Sequence, residues 1–261
     1  MTLAERLRAP SLDERRAAIA EIAARDAADP RELEALVVSL GDAAKAVQRP
    51  AAEACRALAA RGVAVVPLLL EALDAPDPRL RFGAAYALGR VGPPPARALP
   101  ALLDALALDD GDIRWAAAET LRRVEPRAGA IAALLPLVRS GNPPQRKMAL
   151  YCLRDIATAD DDLAEDAIVT ALNDPDLGVR LAAMTTSARL SRDRPRVAEK
   201  LVQAMTTAPD PREQRAAAAA LGDLGVRSET VRSALETAAA GDDASLRRAA
   251  KRTLRLLDEP T

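Results

Sequence analysis

One residue column recurs along the chain at a nearly constant interval. In Leu80-Arg81-Phe82-Gly83-Ala84-Ala85-Tyr86-Ala87-Leu88-Gly89 an apolar residue precedes an Arg, small residues follow at three and four, and Leu follows at seven. The frame fits again at Arg114, Arg146 and Arg247, and more loosely at Arg15, Gln48, Arg180 and Gln214. The steps between these eight positions are 33, 33, 33, 32, 34, 34 and 33 residues. A fixed period of this size is the mark of a solenoid, in which each unit packs on its neighbours. Eight such units use all 261 residues, so one repeat domain over 1–261 is expected.

Each unit reads as two helices. The first runs, for example, from Val63 to Leu73 or from Ala96 to Leu108. The second opens four residues before the column, at Ser11, Asp77, Asp110, Asn142, Asp176, Asp210 and Asp243. These are N-cap types, whose side-chain oxygen satisfies free amides of the first turn. Pro78, Pro143 and Pro211 follow the cap at the favoured first helical position. Gly89 and Gly222 fall where the second helix is expected to stop. The second repeat departs, with Ala44 at the cap position and Pro50 inside the helix, where it should shorten or kink it. The sixth has Ser187 where Leu is expected.

The segment Asp-Pro-x-Leu-Arg-x-x-Ala-Ala-x-x-Leu-Gly resembles the second helix of short HEAT-like repeats, as in bacterial HEAT-repeat scaffolds and phycobilin lyase subunits. The resemblance covers the whole chain. It implies an all-α fold: a right-handed α-α superhelix of about eight two-helix repeats, with second helices lining a concave groove. Ankyrin repeats of the same length would carry Thr-Pro-Leu-His, and this chain has no His.

A helical wheel on the second helices places positions −1, +3, +6 and +7 from the column on one apolar arc, the expected core. Positions +1, +5 and +8 lie together on another side, which by the resemblance faces the groove. Phe82 and Trp115 are at +1; Tyr86 and Tyr151 are at +5. These four are every aromatic residue of the chain, and all fall in repeats three to five. The same row holds Glu119, Arg122, Lys147 and Arg154, together with Arg49, Glu53 and Arg56. Two readings fit. The rings are a binding patch, since Trp and Tyr dominate binding hot spots, or they are packing residues of a tightly curved array.

The remaining chemistry is sparse. Without His, imidazole acid–base catalysis and His metal ligation are excluded. The Asp109/Asp110/Asp112 and Asp160/Asp161/Asp162 clusters sit at helix starts, where Asp caps. Cys55 and Cys152 lie three repeats apart, too far for a disulfide, and buried free thiols suit a reducing compartment. No signal peptide or apolar span is visible. Net charge is −1, with 37 basic and 38 acidic residues, which does not suit a general nucleic-acid coat. A basic group, Arg247, Arg248, Lys251, Arg252 and Arg255, closes the chain. There a polar outer face keeps a terminal repeat soluble, or an acidic partner binds. The column arginines are expected to contact loop carboxylates between repeats.

The expected function is a non-catalytic, cytoplasmic, monomeric scaffold that needs no cofactor or metal and holds a protein or peptide in the groove. Neither nucleic acid nor membrane is an expected partner. Two alternatives come from resemblance. HEAT-like alkylpurine DNA glycosylases place a Trp and a catalytic Asp four apart, the spacing of Trp115 and Glu119, though with Glu for Asp. A bilin-lyase-like subunit is the other.

Overall fold

The computed structural model describes residues 1–158 and 160–259, except for the side chains of 162–164. Among the described residues sixteen α-helices follow one another and no strand occurs. The chain divides into two compact units, Met1–Ala130 and Ile131–Thr261.

The first unit holds α1 (Leu3–Arg6), α2 (Leu12–Ala23), α3 (Pro30–Val38), α4 (Lys45–Ala60), α5 (Val66–Ala72), α6 (Pro78–Val91), α7 (Leu99–Ala105) and α8 (Gly111–Leu121). The division falls within α9 (Arg127–Ser140). The second unit continues with α10 (Pro143–Ile156), α11 (Asp162–Ala171), α12 (Leu177–Leu190), α13 (Arg194–Thr207), α14 (Pro211–Leu224), α15 (Glu229–Ala240) and α16 (Ala244–Asp258). The even-numbered helices are the second helices of the repeats. Each of these packs on the next within its unit: α2 on α4, α4 on α6 and α6 on α8, then α10 on α12, α12 on α14 and α14 on α16.

The caps sit where the sequence puts them. Ser11, Asp77, Asp110, Asn142, Asp176, Asp210 and Asp243 are all N-caps, and each side chain accepts a hydrogen bond from a first-turn amide. Ala44 makes no such bond. The apolar arc is buried as expected: in α8, Ile113, Ala117, Thr120 and Leu121 are all interior. Position +4 is buried too, at Ala85, Leu150, Met184 and Ala218, because it meets the following second helix. The Thr253 hydroxyl donates to the Ala218 carbonyl of α14, the preceding second helix, at 2.8 Å. Each fully buried Leu, such as Leu58, Leu102 or Leu153, contributes about 1.5–3 kcal/mol of transfer free energy.

Several expectations fail for local reasons. The first helices are shorter than the periodicity suggests. α5 starts at Val66, and a 3₁₀ turn, Ala96–Ala98, precedes α7. Pro50 does not shorten α4, which runs 16 residues with Pro50 inside. It sits in the second turn, where a missing amide removes a single hydrogen bond. Gly89 and Gly222 do not stop their helices, which continue to Val91 and Leu224. They are close-packing positions instead. A Cβ at Gly89 would come within 2.7 Å of Thr120 Cγ2, and one at Gly222 within 3.2 Å of Thr253 Oγ1. The true stop of α14 is Gly225, left-handed at φ 72°. Ser187 takes the Leu position by donating to the Met184 carbonyl at 3.0 Å, fully buried.

The Arg column is structural. Arg15, Arg81, Arg114, Arg180 and Arg247 each fold back to donate to the carbonyl six residues upstream, and Gln214 does the same. Arg146 reaches the Gly141 carbonyl at 2.8 Å, and Gln48 reaches that of Leu40 at 2.9 Å. The column therefore ties the turn between the two helices of its own repeat. Carboxylates of the next repeat are also met, although of the three that follow only Asp174 lies in a loop, Asp104 being in α7 and Glu213 in α14. Arg81 meets Asp104 at 3.0 Å, Arg146 meets Asp174 at 2.7 Å and Arg180 meets Glu213 at 2.7 Å. The last two pairs are bidentate and mostly buried. Burial pushes the Asp174 carboxyl up, but hydrogen bonds from Arg146 and the Asp176 amide leave it below the usual range. Arg15 lies 3.1 Å from Asp42, but its Nε makes no hydrogen bond.

Candidate functional site

The proposed groove row falls in both units. Phe82, Tyr86, Trp115, Glu119 and Arg122 belong to the first; Lys147, Tyr151 and Arg154 belong to the second.

In the first unit, α6 packs against both α4 and α8. Its +1 and +5 positions carry Phe82 and Tyr86, one turn apart, with ring centroids 5.9 Å apart and planes inclined by 29°. They line a cleft of about 160 Å³ together with Lys45, Gln48 and Arg49 of α4 and Asp112, Ile113 and Ala116 of α8. Lys45 on its wall joins α4 to α8. Its Nζ donates to Asp110 Oδ1 at 3.0 Å and to Asp112 Oδ2 at 2.7 Å. This bond spans two repeats, over the start of α6. Arg49 lies 3.8 Å from the same Asp112.

This geometry corrects one expectation. Phe82 is buried, only 3% exposed, and is no free surface ring. α4 and α8 approach over its face of α6 closely enough for Lys45 to join them. The tightly curved packing reading therefore holds for Phe82. It does not hold for Trp115, which is 55% exposed on α8. Tyr86 is half-buried at the cleft. Glu119, one turn on from Trp115, is exposed and hydrogen-bonded to Arg122. Trp115, Glu119 and Arg122 are not among the residues lining the cleft.

The electrostatics of the cleft are internally balanced. Lys45 holds the Asp110 carboxyl below its usual range, helped by the amides of Ile113 and Asp112. Asp112 and Asp110 in turn hold the Lys45 ammonium above its usual range. The acidic cluster at 109–112 thus serves a cap and a lysine. Asp161 likewise accepts from the Thr158 amide at 3.0 Å, and the Asp162 side chain lies outside the described residues. Cys55 and Cys152 form no disulfide and are buried, and burial pushes the Cys55 thiol up to about 12.

In the second unit the row is less enclosed. Lys147 and Tyr151 are half-buried, and the Arg154 guanidinium stands 5.2 Å from the Tyr151 ring centroid. Arg154 also donates to Asp155 at 3.0 Å. Such a cation–π stack presents a flat, part-charged surface.

Sequence reasoning missed Lys45, Gln48 and Asp112 as members of the cleft. The one available signal was that Lys45 is one of only four lysines in an arginine-rich chain.

The chain matches the HEAT-repeat family over residues 50–122, 131–222 and 164–255, and it belongs to that family. No curated protein matches it. Escherichia coli YibA shares 16% identity, with 99% of this chain covering 92% of YibA at a TM-score of 0.60. An archaeal HEAT-like repeat protein from Thermococcus onnurineus NA1 is 17% identical, with 90% of this chain covering 98% of it at 0.54. Kap95p, solved bound to RanGDP, is 14% identical at 0.67, with 98% of this chain covering 40% of Kap95p. At these identities the likeness shows the fold alone, an all-α, HEAT-like solenoid. No helix among the described residues is long and apolar enough to cross a membrane.

Proposed function

We propose that the chain is a non-catalytic scaffold that binds a polypeptide segment across its second helices. The anchor is the cleft over Phe82 and Tyr86. The observation that carries this reading is the pairing of that apolar-floored cleft with an exposed Trp115 on the same helix as its Ile113 and Ala116 wall. Exposed large rings beside a preformed hollow are the usual makings of a hot spot. A hollow of about 160 Å³ suits one large apolar side chain. Arg49 and Asp112, both well exposed, stand at its rim to orient the flanking backbone.

Catalysis has little to draw on. The chain has no His, and Glu119, the residue a glycosylase reading needs, is bonded to Arg122. Two buried cysteines that form no disulfide suit a reducing cytoplasm.

Peptides selected from a displayed library on the wild-type protein test this directly. Ala116 lines the cleft, so Ala116→Phe fills it. Selected peptides should shift Trp115 emission to the blue and should lose binding on Ala116→Phe. Peptides that bind both proteins equally would show that the cleft is not the anchor.

A further inference from the structure

The second unit carries a charged surface that the cleft does not explain. On α16, Arg248, Lys251, Arg252 and Arg255 are all exposed. Their spacing of three, four and seven places them on one helical face, over about 10 Å of axis. Among the described residues no carboxylate pairs with any of the four; Arg248 makes only a 3.3 Å contact with the Ser245 hydroxyl. Asp258, one turn on from Arg255, is paired with Arg232 at 2.5 Å, and Glu259 makes no ion pair among the described residues. The Arg248 and Arg252 positions are +1 and +5, the row that carries Phe82 and Tyr86 in α6. The neighbouring α14 packs on α16 and adds Arg215 at +1, half-buried and near the cap carboxylates of Asp210 and Asp243, with exposed Ala219 at +5.

Helix stability does not select this stripe. Like charges one turn apart repel. Arg248 lies in the first half of α16, where the macrodipole disfavours a cation; only Arg255, in the last turn, gains from it. Lys251 stands at +4, which other repeats bury, and a polar residue there serves solvation. Arg248 and Arg252 need another reason.

We propose that this face of α16, with Arg215 and Ala219 of α14 beside it, docks an acidic stretch of a partner polypeptide. It shares with the cleft reading only the premise that the chain binds polypeptide. Charge complementarity carries it: four cations of α16 face solvent with no ion pair among the described residues, and the small, exposed Ala219 on the adjacent α14 leaves room for a backbone to approach. A nucleic acid fits less well. The chain has a net charge of −1, so a long polyanion would be repelled elsewhere. The unit's one aromatic, Tyr151, is stacked under Arg154, leaving no platform for bases near α16.

The test is fluorescence anisotropy on the full chain with a rhodamine-labelled Glu-Ala repeat peptide. Lys-Ala peptide and single-stranded oligothymidylate of similar length are the other arms. The variant is Arg248→Glu with Arg252→Glu. The control, Arg31→Glu with Arg196→Glu, changes net charge equally at exposed first-turn positions of α3 and α13. We expect saturable binding of the acidic peptide that weakens between about 0.05 and 0.3 M salt. We expect at least about a fivefold loss in the α16 variant and less than about twofold in the control. No binding of the acidic peptide would overturn the proposal, as would equal loss in variant and control. Tighter binding of the oligonucleotide with the same loss would make the surface a nucleic-acid site and also overturn it. Trp115 and Ala116 lie in the other unit, so none of these outcomes decides the cleft reading.

Discussion

Gly83 offers the sharpest test of how the repeats pack. A Cβ added there would lie 2.3 Å from the Leu40 carbonyl oxygen, 2.8 Å from its carbonyl carbon and 2.8 Å from its Cβ. Ordinary contact needs more than 3 Å, so α6 must retreat by close to 1 Å or the Leu40 backbone must give. Leu40 is fully buried, and its carbonyl accepts from Gln48 at 2.9 Å, so that backbone is pinned. Ala is the better helix former by about 1 kcal/mol. Overpacking against backbone costs about 1–3 kcal/mol, with fixed atoms toward the upper end. The clash wins, and Gly83→Ala should destabilise the first unit by about 1–2 kcal/mol net. Gly129, in α9, is the control, because a Cβ there meets nothing within 4 Å. Gly129→Ala should be neutral or stabilising by up to about 1 kcal/mol. Urea unfolding followed by emission from Trp115, the sole Trp and in the same unit as Gly83, reads the difference. A Gly83→Ala protein as stable as wild type would refute the close approach of α6 to the turn at Leu40.

Three further outcomes are expected. Asp77→Ala removes the acceptor for the Arg79 amide and should cost about 1 kcal/mol in urea unfolding; Asp13→Ala, 91% exposed at the side chain, should cost clearly less, and equal losses would contradict the capping frame. Trp115→Ala should change stability by less than about 1 kcal/mol, where a buried Trp would cost about 3–5 kcal/mol, and in the wild type iodide should quench a red-shifted Trp emission. Acid should lower the melting temperature in a defined window. Asp210 is held at about 2 by the Arg212 side chain and amide, and Asp110 and Glu53 are lowered by Lys45 and by Arg56. Folded values lie below unfolded ones of about 4, so this stability is complete above about pH 4.5 and is lost as pH falls toward 2. A melting temperature constant over that span would contradict these pairings.

The parts legible in the sequence are those that single residues announce. An Asp or Asn before a helix reports its own role, because a cap is a local hydrogen bond; all seven capping residues of the column were readable. The buried arc was readable because period and hydrophobicity agree. Phe82 was not, because exposure at +1 depends on how near α4 and α8 come, and no local pattern encodes that distance. Lys45 bonds carboxylates 65 and 67 residues away, and charge at that separation leaves no periodic trace. Gly89 was misread because Gly serves both as a stop and as a contact, and only Thr120, on the neighbouring helix, tells the two apart. The Arg column was read toward the next repeat, although its more regular bond is to the turn of its own.

The central claim is that a partner polypeptide sits at the cleft beside Trp115. Site-specific photo-crosslinking in the native cell measures it most directly. A benzophenone amino acid placed at Arg49 or Trp115 should capture a discrete adduct, and Ala116→Phe should abolish it. The same probe at Val38, 54% exposed on first helix α3, should not capture that adduct. No adduct at the cleft positions, or the same adducts at Val38, would contradict the account.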